Sequence, residues 1–257
     1  MPLDVRVDEK SFSNNIGVGS AVQSKNSIIE QYKKVAKLER HFSDDIISKI
    51  NYDDITRIQK RLVTTVFWDI KSFSELAETL LTNDNLLVEF LQELYGITKK
   101  TIFKFGGSLD KFMGDGIMAL FGIPRKDENG SQAAISAVKC ALELREKFEE
   151  QKQKWIQIWK PYGRGRIIDI NLRCGIHTGV VTYGNMGTDK NDQLTAIGTN
   201  VNIASRFEET ANPDKIVISS QTEILVKDHF KLNEIDPVNL KNHYGKFQAF
   251  EVISGKT

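Results

Sequence analysis

The chain has 257 residues, and its 35 Lys and Arg nearly balance 34 Asp and Glu, for a formal net charge of +1 at pH 7. That length suits one substantial core with a helical extension, and the even balance excludes bulk attraction to nucleic acid or to an anionic membrane. Any phosphate must be bound locally. The two cysteines, Cys140 and Cys174, fit no metal or redox spacing and read as small buried hydrophobes, which suits a reducing, cytoplasmic setting. The start, "MPLDVRVDEK", has acids where a signal peptide needs a basic and then apolar run. No stretch approaches the ~18 apolar residues of a membrane span, so no direct membrane insertion is expected.

Residues 1–24 are polar and rich in Ser, Asn and Gly, and read as a flexible lead-in. Residues 25–60 form a helical linking segment: Ile28, Tyr32, Val35, Leu38 and Phe42 recur at threes and fours, the stripe of an amphipathic helix running from Ser27 to about Ile50. That stripe fits either packing on its own domain or a short parallel coiled coil joining two chains. The main domain spans residues 61–257. It opens on "RLVTTVFWDI" (61–70), an apolar, β-branched run that predicts a central strand ending at Asp69.

Helical patterns follow over 73–81 and 86–105, and then "SLDKFM" and "GIMALFG" flank Gly114 and Asp115 as a tight β-hairpin. Residues 131–155 predict a strong helix and 168–186 a long strand or bent hairpin around Gly175 and Gly179. "QLTAIG" reads as a short strand, "TNVNIASRFEET" as a helix capped by Thr199 or Asn200, and "KIVISS" as a strand. A helix-and-strand section closes the chain. This order predicts an α+β fold with a ferredoxin-like βαββαβ core, an antiparallel-rich sheet with helices on one face, additional C-terminal αβ elements and a preceding N-terminal helix.

Asp69 and Asp115 are the first candidates for chemistry. A lone Asp at a turn is ordinary, but a strand end and a hairpin turn brought together in one sheet would let two carboxylates hold hard divalent cations. Asn202 and Arg206, four apart, share one helix face, where an amide and a guanidinium suit a sugar oxygen and a phosphate. His177, in "GIHTG", reads as a packed structural histidine.

Taken together, "FWDIKSFSEL", "GGSLDKFMGDGIMALFG", "GIHTGVVTYGNMG" and "LTAIGTNVNIASRFE" resemble the class III nucleotidyl cyclases over roughly residues 60–255. The resemblance implies a head-to-tail homodimer with two interfacial active sites that converts ATP to cyclic AMP and pyrophosphate. It implies that Asp69 and Asp115, with the Ile70 carbonyl, hold two divalent cations, Mg²⁺ or Mn²⁺. By the same resemblance Lys111 and Thr195 read the base, Asn202 orients the ribose and Arg206 steadies the transition state. A triphosphate lysine is expected near the C-terminus, with Lys241 preferred to Lys246. Lys and Thr at the base positions point to adenine; a guanylyl or dual-specificity cyclase is the runner-up, and an inactive nucleotide-binding module the reading from another class. Ser72 and Thr199 depart from the Gly and Asp common in the family. "LERHFSDDI" resembles the linker that joins such domains to an upstream sensory or regulatory domain.

Overall fold

The computed structural model describes residues 18–125, 127–162, 169–188, 192–239 and 245–256. Its first helix, α1 (Val18–Leu38), starts inside the stretch expected to be a flexible lead-in. It also stops at Leu38, well short of Ile50, and two short helices follow, α2 (Asp44–Ile47) and α3 (Tyr52–Thr56). The expected single apolar stripe is therefore split. Ile28, Ile29, Tyr32 and Val35 stay exposed on α1, while Leu38, Phe42, Ile46 and Ile55 are buried where the chain bends onto the sheet.

The remaining elements are β1 (Gln59–Lys71), α4 (Phe73–Thr79), α5 (Asp84–Lys104), β2 (Ser108–Met113), β3 (Gly116–Phe121), α6 (Ser131–Trp159), β4 (Asn171–Asn185) and β5 (Leu194–Ile197). Then come α7 (Thr199–Thr210), β6 (Ile216–Ser219), α8 (Ser220–Val226), β7 (Phe230–Asn239) and β8 (Lys246–Gly255). The strands join one sheet in the order β2-β3-β1-β4-β6-β8-β7, with β5 pairing β4. Among the described residues only β4 and β6 run parallel. The run β2-β3-β1-β4 is the ferredoxin-like arrangement, and the later strands extend it on the β4 side.

β1 reads apolar at nearly every position because it lies between two strands and is covered on both faces. Val66, Trp68 and Ile70 enter one cluster with Phe90 and Leu94 of α5 and with the apolar stripe of α6. There Phe90 meets Trp155 and Trp159 edge-on, at ring-centroid distances of 5.8 and 5.1 Å. Removal of so buried an aromatic side chain typically costs about 3–5 kcal/mol. Val63, with Met118 and Leu120 of β3, enters a second cluster under Leu38, Phe42 and Ile55. The expectation of helices on one face thus holds for α5 and α6, whereas the linking segment and α7 cover the other.

α7 lies directly on β4. A β-carbon at Gly175 would fall 2.1 Å from the Glu208 backbone nitrogen, so only glycine lets this helix sit so close. The expected cap is absent: Gly198 occupies the N-cap position, and no side chain bonds the first turn. Asn200 instead donates to the Val180 carbonyl (2.8 Å) and holds His177 Nε2 at 2.9 Å, tying the helix to β4. No helix among the described residues is long and apolar enough to cross a membrane.

Candidate active site

The sheet register brings the two acids together. Trp68 lies opposite Ile117, so Asp69 reaches the hairpin turn that carries Asp115. Gly114 takes φ +64°, and its carbonyl accepts a hydrogen bond from the Tyr95 hydroxyl of α5, whose ring stacks on Phe112 at 4.0 Å. The turn is therefore held from outside the hairpin. Burial, with the Asp69 charge added, pushes the Asp115 carboxyl up to about 6. Two carboxylates pressed together in this way favour a cation between them.

A residue that the sequence reading passed over supplies part of that charge. Arg173, opposite Asp69 on β4, donates from Nη2 to Asp69 Oδ2 at 2.6 Å and from Nη1 to the Glu209 carbonyl at 3.3 Å. Its Nε lies 3.0 Å from Glu208 Oε1, an ion contact whose angle falls short of a hydrogen bond. Burial raises Glu208 to about 7, with Arg173 opposing and the Asp69 and Glu209 charges adding. Among the described residues no group of three His, Cys, Asp or Glu is set to hold a metal. The donor set is two carboxylates beside the backbone of buried Ile70. That fits Mg²⁺ or Mn²⁺, which commonly take one or two carboxylates and complete their shell with water and phosphate oxygens.

Lys111 does not pair with Asp115. Its Nζ lies 3.2 Å from Asp110 Oδ2, and the same oxygen accepts the Thr195 hydroxyl at 2.8 Å. The two residues expected to read a base thus meet at a third residue that sequence reasoning missed. They line a cavity of about 410 Å³ whose walls include Arg40, His41 and Lys99, a volume in the usual range of small-ligand clefts, roughly 300–1,000 Å³. The linking segment reaches this cavity by a reciprocal pair of bonds: Leu109 N–H donates to the His41 carbonyl (3.0 Å), and His41 Nδ1 meets the Leu109 carbonyl (2.8 Å).

Asn202 and Arg206 project from α7 without joining either cluster. Asn202 is exposed, and Arg206 pairs with Glu209 on its own helix. His177 is buried between Ser219 Oγ (2.8 Å) and Asn200, and burial lowers its pKa, as suits a neutral structural imidazole. Cys140 and Cys174 are free and buried, and burial raises both thiols above their ordinary range. Lys241 lies outside the described residues.

Comparison with known proteins bears on the family and the fold. Residues 55–254 match the family described as adenylate and guanylate cyclase catalytic domain. The terminal-differentiation-specific adenylate cyclase of Dictyostelium discoideum is 30% identical over 199 residues, covering 76% of this chain and 9% of that protein. The crystal structure of the adenylyl cyclase CyaB from P. aeruginosa superposes with a TM-score of 0.71 at 30% identity, covering 78% of this chain and 97% of that one. The guanylyl cyclase Cya2 gives 0.69 at 28%, covering 77% and 95%. The chain spans 9%, 41% and 27% of the length of three curated relatives it matches. With the family match covering most of the sequence and the fold in common, the chain belongs to the adenylate and guanylate cyclase catalytic domain family, the class III nucleotidyl cyclases.

Proposed function

We propose that this domain is an adenylyl cyclase, forming cyclic AMP and pyrophosphate from ATP in a homodimer whose active sites lie between protomers. The observation that carries the choice of base is the meeting of Lys111 and Thr195 at one cavity. Adenine offers an acceptor at N1 and a donor at its 6-amino group, which match an ammonium and a hydroxyl oxygen. Guanine offers the reverse.

In the reaction the ribose 3′-oxygen attacks the α-phosphorus in line, the new P–O bond forms, and the bond to the β-phosphate oxygen breaks. The hydroxyl proton passes to solvent or to the departing pyrophosphate. Asp69 and Asp115, with the Ile70 carbonyl, would hold two Mg²⁺ or Mn²⁺ ions, which when bound would acidify the 3′-hydroxyl and offset the triphosphate charge. Asn202 of one protomer orients the ribose above its partner's acids. Arg206 lies beside it and stabilises charge on the α-phosphoryl group, a contribution whose removal commonly costs about 3 kcal/mol or more. The exposed position of Asn202, with half-buried Arg206 paired to Glu209 rather than to Asp69 or Asp115, supports this division of labour.

Purified protein incubated with Mg²⁺ or Mn²⁺ and with ATP or GTP should release cyclic AMP preferentially, as read by nucleotide chromatography. Cyclic GMP as the main product would overturn the base assignment. The double substitution Lys111→Glu with Thr195→Cys should move the preference toward GTP.

A further inference from the structure

The strand that carries Lys111 is irregular at one place. Leu109 pairs with Ala119 and Lys111 with Met118, so two residues of β2 advance against one of β3, and Asp110 is the extra residue of a bulge. Side chains of neighbouring residues in a regular strand point to opposite faces. Here the bulge turns Asp110 and Lys111 toward one another, and the Asp110 side chain has 0% exposure.

That buried carboxylate collects three donors. Oδ1 accepts the Ala196 N–H at 3.2 Å, Oδ2 accepts the Thr195 hydroxyl, and the Lys111 ammonium forms an ion pair with Oδ2 at 3.2 Å. An ammonium and an amide N–H can only donate. Asp110 therefore acts as an acceptor throughout, and the single Thr195 proton is committed to it. What Thr195 has left for the cavity is a lone pair.

We propose that Asp110 is a specificity-determining positioning residue: by holding the Thr195 proton, it makes the cavity accept a purine with a donor at C6 and reject a 6-oxopurine. The inference rests on the ATP reading above and deepens it. A 6-amino group donates to the Thr195 oxygen, whereas a 6-oxo group would set lone pair against lone pair. Sites built around one hydrogen-bonding pattern reject the mismatched one strongly, because a buried polar group is left without a partner. The amide introduced by Asp110→Asn can donate to the Thr195 oxygen, which frees the hydroxyl proton to face the base.

The test reads base preference without turnover. Affinities for 3′-deoxy-ATP and 3′-deoxy-GTP, which cannot cyclise, are measured with Mn²⁺ on the full chain by calorimetry. The parent should favour the adenine nucleotide, and Asp110→Asn should narrow the ratio by about tenfold or more. In a Thr195→Val background Asp110→Asn should add no further change, whereas in a Thr195→Ser background, which keeps a hydroxyl, its effect should persist. Thr195→Val alone leaves Asp110 with its other two donors and should itself collapse the preference, which keeps the idea refutable if Asp110→Asn folds poorly. A parent that favours 3′-deoxy-GTP sinks the ATP reading and this inference together. A parent that favours adenine, with a ratio that neither Asp110→Asn nor Thr195→Val moves, sinks the roles of Asp110 and Thr195 and leaves the preference for ATP standing.

Discussion

Burial first, and then the charge of Asp69, pushes the Asp115 carboxyl up to about 6. An acid whose folded value exceeds its unfolded one binds its proton more tightly when folded. Its penalty on folding is therefore absent below the unfolded value of 3.8 and fully present once pH has risen through about 6. Asp115→Asn should raise the Tm of the metal-free protein at pH 8 by roughly 2–4 °C, a gain that vanishes near pH 4. Scanning calorimetry in EDTA decides it, and a gain independent of pH would point to another cause. Residue-level legibility was uneven for a physical reason. Asp69, Asp115, Lys111 and Thr195 stand in recognisable motifs, but Asp110 and Arg173 gain their meaning only from neighbours 85 and 104 residues away. The bulge at Asp110 defeats the alternation rule that would have sent it to the other face.

Ser72 shows how a departure in sequence becomes strain in an element. It stands where the family often has Gly, and it takes φ 67° at the start of α4 with no side-chain cap bond to compensate. A non-glycine residue in this left-handed region costs roughly 1–2 kcal/mol, part of which glycine returns as chain entropy on folding. Ser72→Gly should therefore stabilise the domain by about 1 kcal/mol, read as a higher urea midpoint at unchanged slope; a lower midpoint would show that the hydroxyl matters more than the backbone. Strong periodicity made α5, α6 and the β2–β3 hairpin readable in sequence. The break after Leu38 was not, because the stripe through Leu38 and Phe42 continues at helical spacing although those side chains pack on the sheet. Nor was the missing cap of α7, since Asn200 serves His177 and Val180 instead.

At the scale of the whole molecule, the proposed shared site would have each protomer contribute two half-sites: the acids at the β1 and hairpin ends, and Lys111, Thr195 and the α7 residues elsewhere. Mixing inactive Asp69→Asn and Arg206→Ala chains should then restore about a quarter of parental activity once subunits exchange, since half of a random mixture is heterodimer with one intact site of two. Exchange shown by mass spectrometry with activity still absent would overturn the shared site. The sheet order followed from element order and the ferredoxin-like plan. The second covered face did not, because it depends on the segment through Leu38, Phe42 and Ile55 folding back onto the sheet beside α7.

That fold-back has a consequence for solubility. β2 is the end strand of the sheet order, and such an edge, with its unpaired amides and carbonyls, invites another chain to add itself. His41 answers Leu109 as a neighbouring strand would, backbone carbonyl to amide and ring nitrogen to carbonyl. The linker therefore acts as a one-residue edge guard. It occupies the backbone of Leu109 on that edge, where an added strand would otherwise pair.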